Sequence, residues 1–370
     1  MRPFWATILA GWVLSMTLIY WADPAHRWHR SGMFPNREIK KGEVWPWPGK
    51  NTGEREARMA FIPWIEKPDL IVFGSSRAQY VDYKMVAEKI RLYNVGVNSA
   101  SIQDFIIFWE ILKQRHKIPS YAILLLDPWY MNQDYHCDDW KKYARFIPED
   151  YGVKRSRVDA LLTLKSELQE LKNYSAFSAS VQYLVSRVTG KAQTVGDRVI
   201  PESSLSPEER GYHWDGSLYS PDFPPYEPPQ ATVLERLHQL IPVPKPGSPT
   251  YAFTYNPEAD RLLRLLIDDL AKHHVRVAVI LPPIHPETMA LLSKQRVATL
   301  ELDQDKKSLA ELKIASPDTL VCDLLEPETA GCPAEEFPDE FHPGRSCTEK
   351  TLKTCLARDK VWSGMLAHSH

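Results

Sequence analysis

Two short stretches of this chain carry the residue types that nucleophilic catalysis needs. The first is Leu70-Ile71-Val72-Phe73-Gly74-Ser75-Ser76-Arg77, an apolar, largely β-branched run that ends in glycine and a pair of serines. Such a run describes a buried strand that stops and turns, leaving a hydroxyl at its carboxyl end, where open α/β sheets bind ligands. The second is Asp339-Glu340-Phe341-His342-Pro343-Gly344. A nucleophilic serine needs a base to take its proton and an acid to hold that base in the right tautomer. A carboxylate three residues before a histidine, in a tight loop entering a helix, can aim both side chains the same way. Proline at 343 and glycine at 344 suit that turn.

Further polar residues lie near these stretches. Arg77, beside the serines, is a candidate for contacting an anionic substrate or for a salt bridge on the first helix. His285, in Pro282-Pro283-Ile284-His285-Pro286, follows a strand end and is a candidate cleft residue or alternative base, although no carboxylate sits at a matching spacing. Trp214 belongs to an aromatic, proline-rich passage that reads either as part of a substrate cleft or as a packing flap with no direct role. In His136-Cys137-Asp138-Asp139, four adjacent ligand residues cannot all converge on one ion, so the reading is a solvated loop and no metal is expected.

The elements that must position these residues follow a regular alternation. Strands are predicted at 69–74, Leu92 to Val97, Tyr121 to Leu126, Val275 to Leu281 and Thr319 to Leu324. Helices are predicted around Tyr83 to Ile90 and over Ile102 to Arg115, Pro257 to His273, Thr288 to Val297, Leu302 to Ile314 and Ser346 to Leu366. Continuous apolar strands separated by helices indicate a parallel sheet covered on both faces. The expected fold is therefore a three-layer α/β domain over residues 65–370. An insertion at about 131–255 interrupts it, with helices at Val158 to Lys172 and Ala176 to Val188 and a proline-rich passage from Pro201 to Pro249. Residues 31–64, rich in Trp, Pro and charge without a sustained period, read as a stalk and lead-in packing loosely on the domain.

The compartment is set by the first 30 residues. Phe4 to Trp21 is an uncharged apolar run of 18 residues, long enough to span a bilayer, with aromatics at both ends and Arg2 before it. This reads as a transmembrane signal anchor that leaves the rest of the chain extracytoplasmic, on the periplasmic side or at the cell surface. Arg27, Arg30, Lys40 and Lys41 blur the charge asymmetry. A cleaved signal peptide is the alternative, but no A-x-A site precedes Ala22 or Ala25. A net charge of -2 and the lack of a basic stripe give no electrostatic case for nucleic acid.

Four of the five cysteines, Cys322, Cys332, Cys347 and Cys355, cluster near the C-terminus with no C-x-x-C spacing. On one helix Cys347 and Cys355 would lie roughly 12 Å apart, too far to bridge each other. This leaves Cys332 with Cys347 plus Cys322 with Cys355, or the crossed pairing. The first closes the shorter loop and is preferred, with Cys137 unpaired.

The order Gly74-Ser75-Ser76, then Asp339 to His342, resembles the SGNH (GDSL-like) hydrolase superfamily, whose domain is a flavodoxin-like three-layer sandwich. Between them, Tyr93-Asn94-Val95-Gly96-Val97-Asn98-Ser99-Ala100 is similar to that superfamily's second block. The resemblance covers about 69–130 and 257–366. It implies that Ser76 is the nucleophile, His342 the general base and acid, and Asp339 the orienting acid, with the backbone N–H groups of Ser76 and Gly96 as oxyanion donors and no cofactor. Two departures stand out. The family's Gly-Asp-Ser is here Gly-Ser-Ser, and the third position at the following helix start favours Ser76 over Ser75. The third-block Gly-x-Asn-Asp is replaced by Asp127-Pro128-Trp129-Tyr130, so Asn98 either takes over as a donor or fixes a turn. With the anchor, these features resemble the membrane-anchored branch that includes the teichoic acid D-alanyl transfer protein and the alginate O-acetylation proteins. That branch implies acyl transfer to a cell-surface polysaccharide beside a membrane-bound O-acyltransferase partner. A secreted esterase or deacetylase, and a non-catalytic glycan-binding or assembly component, are the alternatives.

Overall fold

The structure is a computed structural model that describes residues 13, 14, 17, 38–46, 53–133, 138–153, 199–205, 210–219, 255–294 and 296–366. The anchor as a continuous span, the helices expected at 158–172 and 176–188, most of the proline-rich passage, and His136 with Cys137 lie outside the described residues. Among the described residues no helix is long and apolar enough to cross a membrane.

The chain enters through strand β1 (Glu43–Pro46) and helix α1 (Glu54–Phe61). The main sheet then begins with β2 (Leu70–Phe73) and β3 (Leu92–Asn94), followed by α2 (Ile102–Gln114) and β4 (Tyr121–Leu125). Three short strands come next, β5 (Ile200–Pro201), β6 (Gly211–His213) and β7 (Leu218–Tyr219). The alternation resumes with α3 (Pro257–Lys272), β8 (Arg276–Leu281), α4 (Pro286–Leu292), α5 (Arg296–Ala315) and β9 (Leu320–Asp323). Three helices close the chain, α6 (Pro327–Ala330), α7 (Arg345–Leu356) and α8 (Lys360–Ser363).

The five-stranded sheet is parallel throughout, in the order β3-β2-β4-β8-β9. Its strands are apolar on both faces because helices cover both. Ile71 and Phe73 face a core shared with α2 and α3, whereas Leu70 and Val72 face a second core shared with α7. Counted within the sheet the order is 2-1-3-4-5, so the chain leaves β2 toward one edge and later strands build toward the other. That reversal puts the switch point at the carboxyl ends of β2 and β4, the place where such sheets bind ligands.

A second, antiparallel sheet in the order β5-β1-β6-β7 joins the lead-in to the insertion. Residues 43–46 and 54–61, read from the sequence as loosely packed, are thus core elements. Trp45 is fully buried, its ring 5.2 Å from Phe61 and 6.2 Å from Tyr212. Strands of two to four residues carry too little alternation to be recognised, and large aromatic side chains supply their stability instead. Gly211 is required here: a Cβ would lie 2.6 Å from the carbonyl oxygen of Trp45.

Four predicted helices differ. The break expected between Val297 and Leu302 falls instead between Leu292 and Arg296, so residues 296–301 belong to α5. The segment from Tyr83 to Ile90 forms only one turn, Tyr83–Met85, capped by Asp82, whose carboxylate accepts the Lys84 N–H at 2.9 Å. Val86 is then extended and pairs with Leu366, and Ala87 donates to the Met365 carbonyl at 2.8 Å. The C-terminal helix breaks after Leu356 and restarts at Lys360, where Asp359 accepts the N–H groups of Val361 (2.8 Å) and Trp362 (3.1 Å). A short carboxylate beside free amides competes with helix continuation. Cys322–Cys355 and Cys332–Cys347 are the two disulfides, fastening α7 to β9 and to the loop after α6.

Candidate active site

The two serines after β2 have separate roles. Ser75 caps a one-turn helix, Ser76–Ala78; its Oγ accepts the Arg77 N–H at 3.2 Å and donates to Asp127 Oδ1 at 2.8 Å. Ser75 is buried and its hydroxyl is committed to the turn. Ser76 Oγ lies 2.7 Å from His342 Nε2.

Asp339 builds the loop that carries this histidine. Its Oδ1 accepts the backbone N–H groups of Phe341 (2.8 Å) and His342 (2.7 Å), while His342 Nδ1 lies 2.8 Å from Oδ2 and 2.9 Å from Oδ1. A nitrogen facing a carboxylate carries the proton, so Nε2 is left to accept from the Ser76 hydroxyl. Burial raises the Asp339 pKa, but the hydrogen bonds from His342 and the two backbone amides outweigh it and hold the carboxyl below its ordinary range. Gly344 has an ordinary φ of -67°. Glycine is needed there because a Cβ would lie 2.6 Å from the Glu336 carbonyl oxygen, which accepts the Gly344 N–H at 2.7 Å. Arg345, the next residue, pairs with Asp82 and ties this loop to the segment that follows Ser76.

The expected oxyanion donors need revision. The Gly96 N–H donates to Asn94 Oδ1 at 2.8 Å and is occupied. Its glycine serves close approach: a Cβ would lie 3.0 Å from that oxygen and 3.2 Å from the Ser75 carbonyl. The Ser76 N–H has no acceptor among the described residues. Asn98 is held by Glu54, which accepts its backbone N–H at 2.5 Å and its Nδ2 at 2.6 Å.

Two proposed cleft residues prove to be internal. Arg77 is 2% exposed; its Nη2 donates to the carbonyls of Pro282 (3.0 Å) and Pro283 (2.5 Å), and its Nη1 is 3.7 Å from Asp127. Burial pulls its pKa down to about 10 against the pull of Asp127, so it remains a cation at neutral pH, enclosed between the ends of β2, β4 and β8. His285 is fully buried, its Nδ1 accepting the Glu287 N–H at 3.1 Å as the cap of α4 and its ring against Phe337 at 5.5 Å. Trp214 sits half-buried on Tyr83, ring centroids 5.3 Å apart, and has no hydrogen bond or ring contact with Ser76, Asp339 or His342. Among the described residues the group of ligand types close enough to share one metal ion is Cys332, Glu336 and Cys347, and its two thiols are joined as a disulfide.

Sequence patterns assign no role to Asp127, Trp129 or Glu54, although the first two stand where the third block would be. Asp127 is buried and accepts from Ser75 Oγ in the turn that carries Ser76, and burial raises its pKa although Arg77 and Ser75 oppose the shift. Trp129 packs edge-on to Phe341 at 5.6 Å, beside His342. For Asp127 and Trp129 the signal was present in Asp127-Pro128-Trp129, polar and aromatic residues at a strand end. No protein-family model and no curated protein matches this chain. The functional reading therefore stands on the site itself.

Proposed function

We propose that this chain is a serine-dependent acyl-transfer enzyme, an O-acyltransferase or esterase acting on O-acyl groups of an extracytoplasmic polysaccharide. The observation that carries the reading is the continuous chain of contacts from Ser76 Oγ to His342 Nε2 (2.7 Å) and from His342 Nδ1 to Asp339 (2.8 Å). The three residues come from positions up to 266 apart in sequence and meet at the crevice expected for this sheet order.

In the proposed reaction Ser76 Oγ attacks the acyl carbonyl as its proton passes to His342 Nε2, and Asp339 stabilises the imidazolium through Nδ1–H. The oxyanion forms against the Ser76 N–H. As the tetrahedral intermediate collapses, His342 returns the proton to the leaving oxygen and the acyl group stays on Ser76. His342 then takes the proton of an incoming glycan hydroxyl, or of water, which attacks the acyl-enzyme carbonyl; as that second intermediate collapses the bond from the acyl carbon to Ser76 Oγ breaks and His342 returns the proton to Oγ. Membrane attachment through residues 4–21, supported by the apolar run in the sequence, and supply of the acyl group by a membrane-bound O-acyltransferase complete the proposal.

A fluorophosphonate probe tests the enzyme reading: covalent labelling at Ser76 of the folded chain is expected, and no labelling sinks it. Incubation with an activated acetyl ester and candidate oligosaccharides then separates the two reactions, acylated sugar marking transfer and free acetate alone marking hydrolysis.

A further inference from the structure

The candidate nucleophile stands on a single helical turn, Ser76–Ala78, just after β2. A turn of three residues has too few internal hydrogen bonds to keep a fixed geometry by itself. Ser76 Oγ must nonetheless stay within about 0.5 Å of its line of attack, with its N–H aimed at the developing charge. That rigidity has to come from outside the turn.

Both neighbours of Ser76 are pinned to the ends of other strands. Ser75 Oγ donates to Asp127 Oδ1 at 2.8 Å, just past β4, and accepts the Arg77 N–H at 3.2 Å. The Arg77 side chain reaches the end of β8, where Nη2 donates to the carbonyls of Pro282 (3.0 Å) and Pro283 (2.5 Å), and its Nη1 lies 3.7 Å from Asp127. Asp127 thus holds the residue before Ser76 by a hydrogen bond and the residue after it by charge. Asn94 holds the far end of the turn, its Nδ2 donating to the Ala78 carbonyl at 2.7 Å. These bonds fall on the neighbours and leave Ser76 Oγ to His342.

Stability by itself accounts poorly for Asp127. The residue is buried, its carboxyl is pushed up by that burial, and a buried ion pair adds little net stability because desolvation offsets the attraction. Its hydrogen bond to Ser75 ends one residue from the nucleophile, so losing that bond shifts Ser76 before it loosens the fold.

We infer that Asp127 is a positioning residue: through the Ser75 hydroxyl and the Arg77 guanidinium it fixes the turn so that Ser76 Oγ meets His342 and the Ser76 N–H meets the oxyanion. This rests on the proposed serine chemistry and deepens it. It also gives Ser75 and Arg77, both enclosed, a part in the rate.

The test uses the full chain and p-nitrophenyl acetate, with wild type, Ser75→Ala, Asp127→Asn and the double variant, together with thermal unfolding and the rate of fluorophosphonate labelling at Ser76. Ser75→Ala is expected to lower kcat and the labelling rate alike, about tenfold, with KM nearly unchanged, because the displaced atom is the attacking one. Asp127→Asn is expected to lower kcat by about as much, since one amide oxygen cannot accept from Ser75 and face Arg77 at once. The double variant should lose far less than the product of the two, both acting through one hydrogen bond. The inference is overturned if Ser75→Ala keeps wild-type kcat, if the two losses multiply, or if the variants change only the melting temperature. Complete loss of labelling in Ser75→Ala would make Ser75 the nucleophile and overturns it too. Should Asp127→Asn fail to fold, Ser75→Ala, which removes a single oxygen, decides alone. A wild type that neither labels at Ser76 nor turns over ester overturns the serine chemistry as well; one that does both while Ser75→Ala matches it removes only this inference.

Discussion

The dipeptide His-Pro occurs twice at the entrance to a helix, at His285-Pro286 and at His342-Pro343, and the two histidines end in opposite states. His285 has no exposed surface, and its Nδ1 accepts the Glu287 N–H, so that nitrogen bears no proton. His342 is 31% exposed in its side chain; its Nδ1 faces Asp339 and its Nε2 faces Ser76. Identical local chemistry thus gives a helix cap in one place and a candidate base in the other. What differs is the carboxylate three residues upstream, which reverses the proton arrangement on the ring. His285 has proline at that position.

The largest effect should come from the histidine that faces the serine. His342→Ala and Ser76→Ala are each expected to lower ester turnover on the order of 10⁶-fold, with His285→Ala within a factor of a few of wild type. Equal losses from His285→Ala and His342→Ala in initial-rate assays would end the distinction. Asp339→Asn keeps the shape of the loop but no longer favours the proton on Nδ1, and should cost about 10⁴-fold in kcat.

Stability separates the same residues in a different order. Breaking Cys332–Cys347, which anchors the start of α7 just beyond His342, is expected to cost about 3 kcal/mol in urea unfolding with labelling at Ser76 retained. His285→Ala should cost about 2 kcal/mol through a lost cap and a buried void.

The smallest effects lie in pH dependence. Burial lowers the His285 pKa, so its contribution is present above the ordinary value of 6.5 and is lost as pH falls through its folded value. Asp339 is also lowered, so its contribution is present above the ordinary 3.8 and is lost only at more acid pH. Thermal unfolding against pH should therefore lose its upper acid limb in His285→Ala and its lower one in Asp339→Asn. A single limb removed by both variants would contradict the separation.

Much of the main sheet was legible because long apolar strands and amphipathic helices announce themselves over many residues. Leu70 to Phe73, Tyr121 to Leu125 and Pro257 to Lys272 lie where the pattern puts them. The small sheet was not, since β1 has four residues and β5 two. Nor was the single turn at Tyr83–Met85, where pairing of Val86 with Leu366 overrides helix propensity from 280 residues away.

The sequence by itself determined the residue types of the site and their order along the chain, because a strand end, a D-x-x-H loop and a cysteine separation are local features. Only the tertiary structure decided which serine is free, that the Gly96 amide is already bonded, that Arg77 and His285 are enclosed, and that Glu54 reaches Asn98. Each of those outcomes depends on burial or on a hydrogen-bond partner, and for Ser75, Ser76 and Asn98 the deciding partner is 44 to 266 residues distant. A side chain's role is set by where its last polar atom finds a partner, and that is known only once the chain has brought the partner to it.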